Sequence, residues 1–167
     1  MDIRPAADDD DAIWAILEPI LRAGEAYALP RDWSRDEALA FWRAPAHAVF
    51  VAQEVGQEAG KEAGAILGTY YLRPNHRGGG AHVANCGYAT HPLARGRGIA
   101  RAMCGHSLEV AQRQGFTAMQ FNFVVATNDP AVGLWKNLGF DIVGRLPRAF
   151  RHPKHGLVDA LVMHRTL

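Results

Sequence analysis

With only two cysteines in 167 residues, the chain has no disulfide framework, and neither Cys86 nor Cys104 stands in a CxxC or Cys/His cluster with zinc spacing. Both are expected as reduced, buried thiols, and no metal site is expected. Net charge is nearly absent too. The 18 Lys and Arg against 17 Asp and Glu leave +1, so nothing pulls the whole molecule toward nucleic acid or a membrane surface. No apolar run approaches the ~20 residues that span a bilayer, and MDIRPAADDDDAIWAIL at the start lacks the basic region of a signal peptide. A soluble, cytoplasmic protein is expected. Lysine is missing from the middle of the chain, where Glu109 is the one acid between Gly64 and Asn128, against Arg73, Arg77, Arg95, Arg97, Arg101 and Arg113.

The 49% hydrophobic and 21% charged content suits one domain over residues 1–167 with a sizeable core. Ile3 to Pro5 suggests a short strand, and Asp8 to Asp11 place acids at the start of a helix carrying Ile13, Trp14, Ile16 and Leu17 inward. Ser34 and Glu37 form a capping box for a second helix through Trp42. Ala48 to Gln53 and Ala65 to Leu72 read as strands joined by a polar hairpin loop, QEVGQEAGKEAG. After the loop PNHRGGG, Ala81 to Thr90 reads as a strand in which Gly87 marks a bulge. A helix from Gly98 to Gln114 follows, with Ile99, Met103, Leu108 and Ala111 on a buried stripe, and then a strand from Met119 to Ala126. Residues 81–126 thus form a β-turn-α-β crossover. Asp129 as cap and Pro130 open a short helix that Gly139 closes, and two last strands lie near Asp141 to Val143 and Leu157 to Met163. The order is βααββββαβαββ, a mixed α/β class with a mostly antiparallel sheet flanked by helices. The basic segment 145–156, RLPRAFRHPKHG, reads as a solvated loop or as an attractor for a carboxylate.

The stretch ARGRGIARAM, 94–103, opens the helix after the third internal strand. A helix N-terminus presents about four unpaired amides and roughly half a positive charge, which suits a phosphate or pyrophosphate. Gly96 and Gly98 permit close approach, and Arg95 and Arg97 add charge-assisted contacts; the bland alternative is a helix start with solvated arginines. A Rossmann fingerprint is excluded because the turn reads GRGIAR with Glu109 too near, and a Walker loop because G-K-[ST] is absent.

Arg95-x-x-Gly98-x-Ala100 resembles the [QR]-x-x-G-x-[GA] motif of the GNAT superfamily of N-acetyltransferases, and it stands between strand and helix as it does there. Asn128 followed by AVGLWKNLGF resembles the family signature N-x-x-A-x-x-[LFY]-[YW]-x-x-x-G-F, and IRPA resembles the family's opening. The resemblance implies the GNAT acyltransferase fold, acetyl-CoA as cosubstrate, and a small-molecule amine as acceptor. It implies that amides of Arg95, Gly96, Arg97, Gly98, Ile99 and Ala100 hold the pyrophosphate. Tyr88, Ala89 and Thr90 would pair by main chain with the pantetheine arm, Asn128 would bond the arm beside Trp135, and Lys136 would reach phosphate. A homodimer through exposed sheet edges is also implied.

Acetyl transfer to an amine needs an uncharged nucleophile, a donor for oxyanion charge and a proton for the departing thiolate. A main-chain N–H near Tyr88 or Ala89 is the expected donor. Many relatives protonate the thiolate with a tyrosine where this chain has Trp135, and indole cannot do so at neutral pH. Water or one of Tyr70, Tyr71 and Tyr88 is expected instead. For the base, His82, His91, Glu25 or a water chain remain, since the central strands carry no carboxylate. Asn85 and Asn122 are polar residues within apolar strands, either satisfied core amides or the lining of the acceptor pocket. The runs GTYYLRPN, HVANCGY and FNFVVATN resemble the GNAT branch that acetylates azetidine-2-carboxylate and related proline analogues, which implies a small amino acid or amine beside Asn85 and Asn122. The alternatives are an acetyl-CoA sensor without catalysis and a peptide N-acetyltransferase; no nucleic-acid motif is present.

Overall fold

The computed structural model describes residues 1–55 and 64–167, so the tip of the hairpin loop QEVGQEAGKEAG lies outside the described residues. The elements are β1 (Asp2–Pro5), α1 (Asp10–Ala23), α2 (Arg35–Trp42), β2 (Ala48–Gln53), β3 (Ile66–Pro74) and β4 (Val83–Thr90), followed by α3 (Ile99–Arg113), β5 (Ala118–Val125), α4 (Asp129–Asn137), β6 (Asp141–His152) and β7 (Gly156–Thr166). The strands form one sheet in the order β1-β2-β3-β4-β5-β7-β6. Every neighbouring pair is antiparallel except β4 with β5, the two strands of the crossover. Both faces are covered. Helices α1 and α2 bury Ile13, Ile16, Leu39 and Trp42 against Val51, Tyr71 and Ala89, and α3 with α4 bury Ile99, Met103, Leu108 and Trp135 against Tyr70, Leu72 and Phe121. The alternation Tyr70/Tyr71/Leu72 sends successive side chains to opposite cores, as the two-residue period of a strand requires.

Local chemistry explains the starts. Ser34 accepts from the Glu37 amide at 3.3 Å while the Glu37 carboxylate accepts from the Ser34 amide at 2.8 Å, the reciprocal cap expected for α2. Asn128, not Asp129, caps α4 by accepting from the Ala131 amide at 3.3 Å. Asp9 precedes α1 without capping it, because its carboxylate is taken by Arg4 at 2.8 and 2.9 Å and by the Ala7 amide at 2.8 Å.

Three further expectations are corrected. Between α2 and α3 there are three strands, not four, and residues 75–82 form a loop with one 3₁₀ turn at Gly78–Gly80. The basic segment 145–156 is not a loop: β6 runs to His152, burying Phe150 and His152, while Asp159 on β7 takes the Arg145 side chain at 2.8 Å and the Arg148 amide at 2.9 Å. Gly87 makes no bulge, because β3 and β4 pair in unbroken register from Gly68↔Thr90 to Pro74↔Ala84. A side chain at 87 would instead strike Tyr71, whose ring and hydroxyl atoms lie 2.5–2.8 Å from an ideal Cβ position. The irregularity falls on β5, between Phe121 and Val124 in its pairing with β7.

The parallel pair governs the rest of the molecule. β4 and β5 are in register only at Val83↔Ala118 and Ala84↔Met119. Past that point the Asn85 side-chain amide reaches across to the Gln120 carbonyl at 2.9 Å, and the main-chain ladder ends. Bonds from the Asn75 amide to the Val83 carbonyl (2.7 Å) and from the His91 amide to the Leu67 carbonyl (2.8 Å) fix the phase of β4. Odd-numbered residues direct their peptide groups to β3, and Cys86, Tyr88 and Thr90 direct theirs into the gap that β5 has left.

The Arg4–Asp9 pair holds β1 to the entry of α1, and its Arg4 hydrogen bond keeps the Asp9 carboxyl below the usual carboxylate range. A carboxyl whose folded value is lowered contributes stability above its unfolded value near 3.8, and the contribution is lost as pH falls through the folded value. Asp9→Asn should therefore lower stability at neutral pH by up to about 1 kcal/mol and flatten the fall below pH about 4, measured by denaturant melts across pH. A variant as stable as the parent at pH 7 would contradict this role.

Candidate active site

The gap is the middle of a continuous cleft. On the α3 side it opens into a cavity of about 720 Å³ lined by Thr90, Arg95, Gly96, Gly98, Ile99 and Arg101. Toward the α1–α2 loop it narrows to one of about 270 Å³ lined by Tyr27, Tyr71, Arg73, Asn85, Asn122 and Phe123. Tyr88, Asn128, Ala131 and Trp135 line both, so the two spaces meet where β4 and β5 have parted.

The larger space fits a diphosphate. Gly96 and Gly98 both have φ of 77°, a left-handed conformation that favours glycine, with nothing within 4 Å of where a Cβ would stand. Whereas α2 and α4 have capping side chains, α3 has none among the described residues. Its first amides are left for an outside acceptor. Arg95 and Arg101 line the space, and Ile99 and Ala100 bring the first turn of α3 to it. Arg97 instead pairs with Glu54 at the end of β2. Lys136 is exposed and lies on neither cavity.

Of the three residues expected to pair with a cofactor arm, Tyr88 and Thr90 face the gap. Ala89 does not: it lies opposite Thr69 in the β3 pairing and its methyl is buried under α1 and α2. The Tyr88 carbonyl accepts a 2.6 Å bond from the Tyr27 hydroxyl, which crosses from the α1–α2 loop. Burial raises the Tyr27 phenol well above its usual range, so it stays a neutral donor.

The remaining candidates separate cleanly. The Tyr88 hydroxyl bonds Ser107 at 2.7 Å and the Tyr70 hydroxyl bonds His106 Nδ1 at 2.7 Å, both on the α3 face. Burial raises both phenols. Tyr71 lies on the other face, stacked on His47 with 4.2 Å between ring centroids, and its hydroxyl sits over Gly87. His82 is exposed at the far end of β4, and His91 accepts from the Leu93 amide at 3.3 Å; neither lines the cleft. Glu25 lines the larger cavity, away from Asn85 and Asn122, and Lys154 at 2.6 Å lowers its carboxyl. Cys86 and Cys104 are free and buried, and burial raises both thiols, Cys104 to about 11.

Asn85 and Asn122 are bonded amides that also border open space. Both line the smaller cavity. Asn85 donates to Gln120 and accepts from Arg73 Nε at 3.3 Å, while Asn122 donates to Asn75 at 2.6 Å and accepts from Gln120 at 2.9 Å. Each carboxamide has a further N–H beyond these bonds. Tyr27 and Arg73 were not foreseen.

A sheet parted at a parallel pair, with an uncapped glycine turn at one end of the opening and an amide-lined pocket at the other, defines an acyl-carrier-binding transferase of the acetyltransferase type. The chain belongs to the acetyltransferase (GNAT) family, which its sequence matches over residues 11–140. It is 30% identical over 151 residues to the N-acetyltransferase aca1 of Schizosaccharomyces pombe, covering 85% of this chain and 72% of that protein. A GCN5-related N-acetyltransferase from Kribbella flavida superposes with a TM-score of 0.91 at 40% identity, over 99% of this chain and 97% of that one. The yncA protein of Salmonella typhimurium, solved with its cofactor acetyl-CoA, shares the fold at TM-score 0.82 and 23% identity, over 100% of this chain and 94% of its own. The protein is thus an N-acetyltransferase by family, and acetyl-CoA is the cosubstrate of that chemistry.

Gly87→Ala should displace the Tyr71 ring from the cleft wall, costing about 1–3 kcal/mol in stability and more than tenfold in kcat/KM. Paired melts and steady-state assays check it, and an alanine variant with parental activity would show that the close contact is relieved at no functional cost.

Proposed function

We propose that the protein transfers the acetyl group of acetyl-CoA to the amine of a small acceptor seated between Asn85 and Asn122, as a cytoplasmic enzyme. The observation that carries this reading is the junction of the two cavities at Tyr88 and Trp135: one end suits a diphosphate, the other a molecule of a few heavy atoms, and the unpaired strand edge lies between. When bound, acetyl-CoA supplies an activated acyl thioester. Amides of Gly96 to Ala100 with Arg95 and Arg101 hold its phosphates, and the peptide groups of Tyr88 and Thr90, with Asn128 nearby, align its arm. The Tyr88 N–H faces the gap as the donor for developing oxygen charge.

Asn85 and Asn122 orient the acceptor. No carboxylate or histidine lines the smaller cavity among the described residues, so the amine enters uncharged or loses its proton to water, and fixed alignment of the two reactants supplies the rate. Trp135 closes the junction by packing on Tyr88 and Phe121, each with 5.1 Å between centroids. It provides surface, not a proton. Water or the Tyr71 hydroxyl protonates the leaving thiolate. The motif likeness to acetyltransferases of azetidine-2-carboxylate and other proline analogues supports an acceptor among small amino acids or amines.

The lack of a carboxylate or histidine in the smaller cavity among the described residues also favours a second reading, an acetyl-CoA sensor without turnover. Thiol release from acetyl-CoA across free amino acids, proline analogues, polyamines and peptide N-termini separates the two. Release with small acceptors is expected, retained within about tenfold in Trp135→Phe. Acetyl-CoA binding without release for any acceptor supports the sensor, and loss of turnover in Trp135→Phe with binding intact would give the indole a chemical role.

A further inference from the structure

We infer that Arg73 makes the acceptor pocket selective for a carboxylate, so that the acceptor is a small amino acid and not a simple amine. The inference rests on the acetyl-transfer reading of this cleft and adds the class of acceptor.

Arg73 is the one charged side chain lining the smaller cavity among the described residues. Arg4, Arg35, Arg43, Arg97 and Arg145 each meet a carboxylate within 4.0 Å, whereas Arg73, like Arg95 and Arg101 on the larger cavity, meets none among the described residues. Its one side-chain partner there is the Asn85 carbonyl, which accepts from Nε at 3.3 Å. A guanidinium has five donors in a planar fork, so a bond at Nε leaves both terminal nitrogens for an outside acceptor, and a carboxylate matches their spacing. A half-buried cation without a counter-ion is costly to maintain unless a ligand supplies the charge.

The fold aims this fork. Arg73 is paired directly with Asn85 across the β3–β4 ladder, and Asn85 is itself tied to the Gln120 carbonyl of β5. The residue that ends the β4–β5 ladder therefore also orients the cation. Arg73, Tyr71, Asn85 and Gly87 occupy odd positions of paired strands and share the face covered by α1 and α2, where Leu29 and Phe123 add apolar wall. That wall reduces the screening of the guanidinium charge by water and so favours an anion. At about 270 Å³ the pocket falls below the usual range for drug-sized ligands, which limits the acceptor to a short side chain. With the carboxylate on Arg73, the amine is left toward the gap at Tyr88. There the new N–C bond forms as the thioester C–S bond breaks, the amine gives up a proton and the thiolate takes one, and the carboxylate leaves unchanged on the N-acetyl product.

Two matched trios test the inference: alanine, alaninamide and ethylamine, and proline, prolinamide and pyrrolidine, each assayed by thiol release with the parent protein and with Arg73→Met. The parent should prefer each acid over its amide and amine by about 100-fold in kcat/KM. The amide's less basic nitrogen is more often neutral, so intrinsic reactivity works against that result. Arg73→Met should raise KM for the acids by about 30-fold with little change in kcat or in acetyl-CoA affinity, and reduce the preference to a few-fold. Equal use of acids, amides and amines by the parent overturns the inference while leaving acetyl transfer standing. So does a variant that slows all three members of a trio alike, since Arg73 would then only support Asn85. If no acceptor releases thiol, the transfer reading has failed, and calorimetric titration of alanine and proline into the CoA-loaded protein decides the role of Arg73. Carboxylate-dependent binding lost in Arg73→Met supports it, and equal or absent binding in both proteins overturns it.

Discussion

A parallel strand pair that stops after two residues shapes this protein. Had β4 and β5 continued side by side, the peptide groups of Cys86, Tyr88 and Thr90 would be consumed in a ladder and the cleft would not exist. Buried peptide groups do not tolerate being left without partners, so parting the strands creates a demand that something must meet. In the structure the Asn85 side chain meets part of it at the Gln120 carbonyl, and the Tyr27 hydroxyl meets another part at the Tyr88 carbonyl. An extended molecule bearing amides can satisfy the same groups by acting as an added strand.

The same opening accounts for the separation of tasks. One end is set by the uncapped first turn of α3, where backbone donors and arginines concentrate positive charge. The other is set by side chains of β3, β4, β5 and the residue after β3 that bond one another: Arg73 with Asn85, and Asn122 with Asn75 and Gln120. These bonds tie the pocket's side chains to one another and restrict their rotamers. Fixed placement matters where no carboxylate or histidine lines the pocket among the described residues, because alignment must then supply what a dedicated base does not.

Much of this was legible in the sequence because its causes are local. The Ser34/Glu37 box, the stripe from Ile99 to Ala111 and the glycine turn before α3 each arise from residues within a turn or two of one another. The family motif fell where strand meets helix for the same reason. Gly87 was misread because its requirement comes from Tyr71, opposite it on another strand, and a glycine's near-neighbours do not reveal a ring packed across it. Ala89 was grouped with Tyr88 and Thr90 although it pairs with Thr69, since the phase of a strand's peptide groups depends on which neighbour it pairs with. The extent of β6 was hidden by Pro147 and a run of basic residues, whose charges are accommodated by exposure and by Asp159. Tyr27, in the aperiodic stretch between α1 and α2, gave no local sign that its hydroxyl crosses to β4. Arg73 was visible only as part of a regional excess of charge.

Amide hydrogen exchange with and without CoA tests the central claim most directly. If a carrier arm completes the interrupted ladder, the Tyr88 and Thr90 amides and those of the first turn of α3 should slow markedly on binding, while the Ala89 amide, already directed to β3, should not change. Protection confined to other surfaces, or an equal effect on Ala89 and its two neighbours, would contradict it.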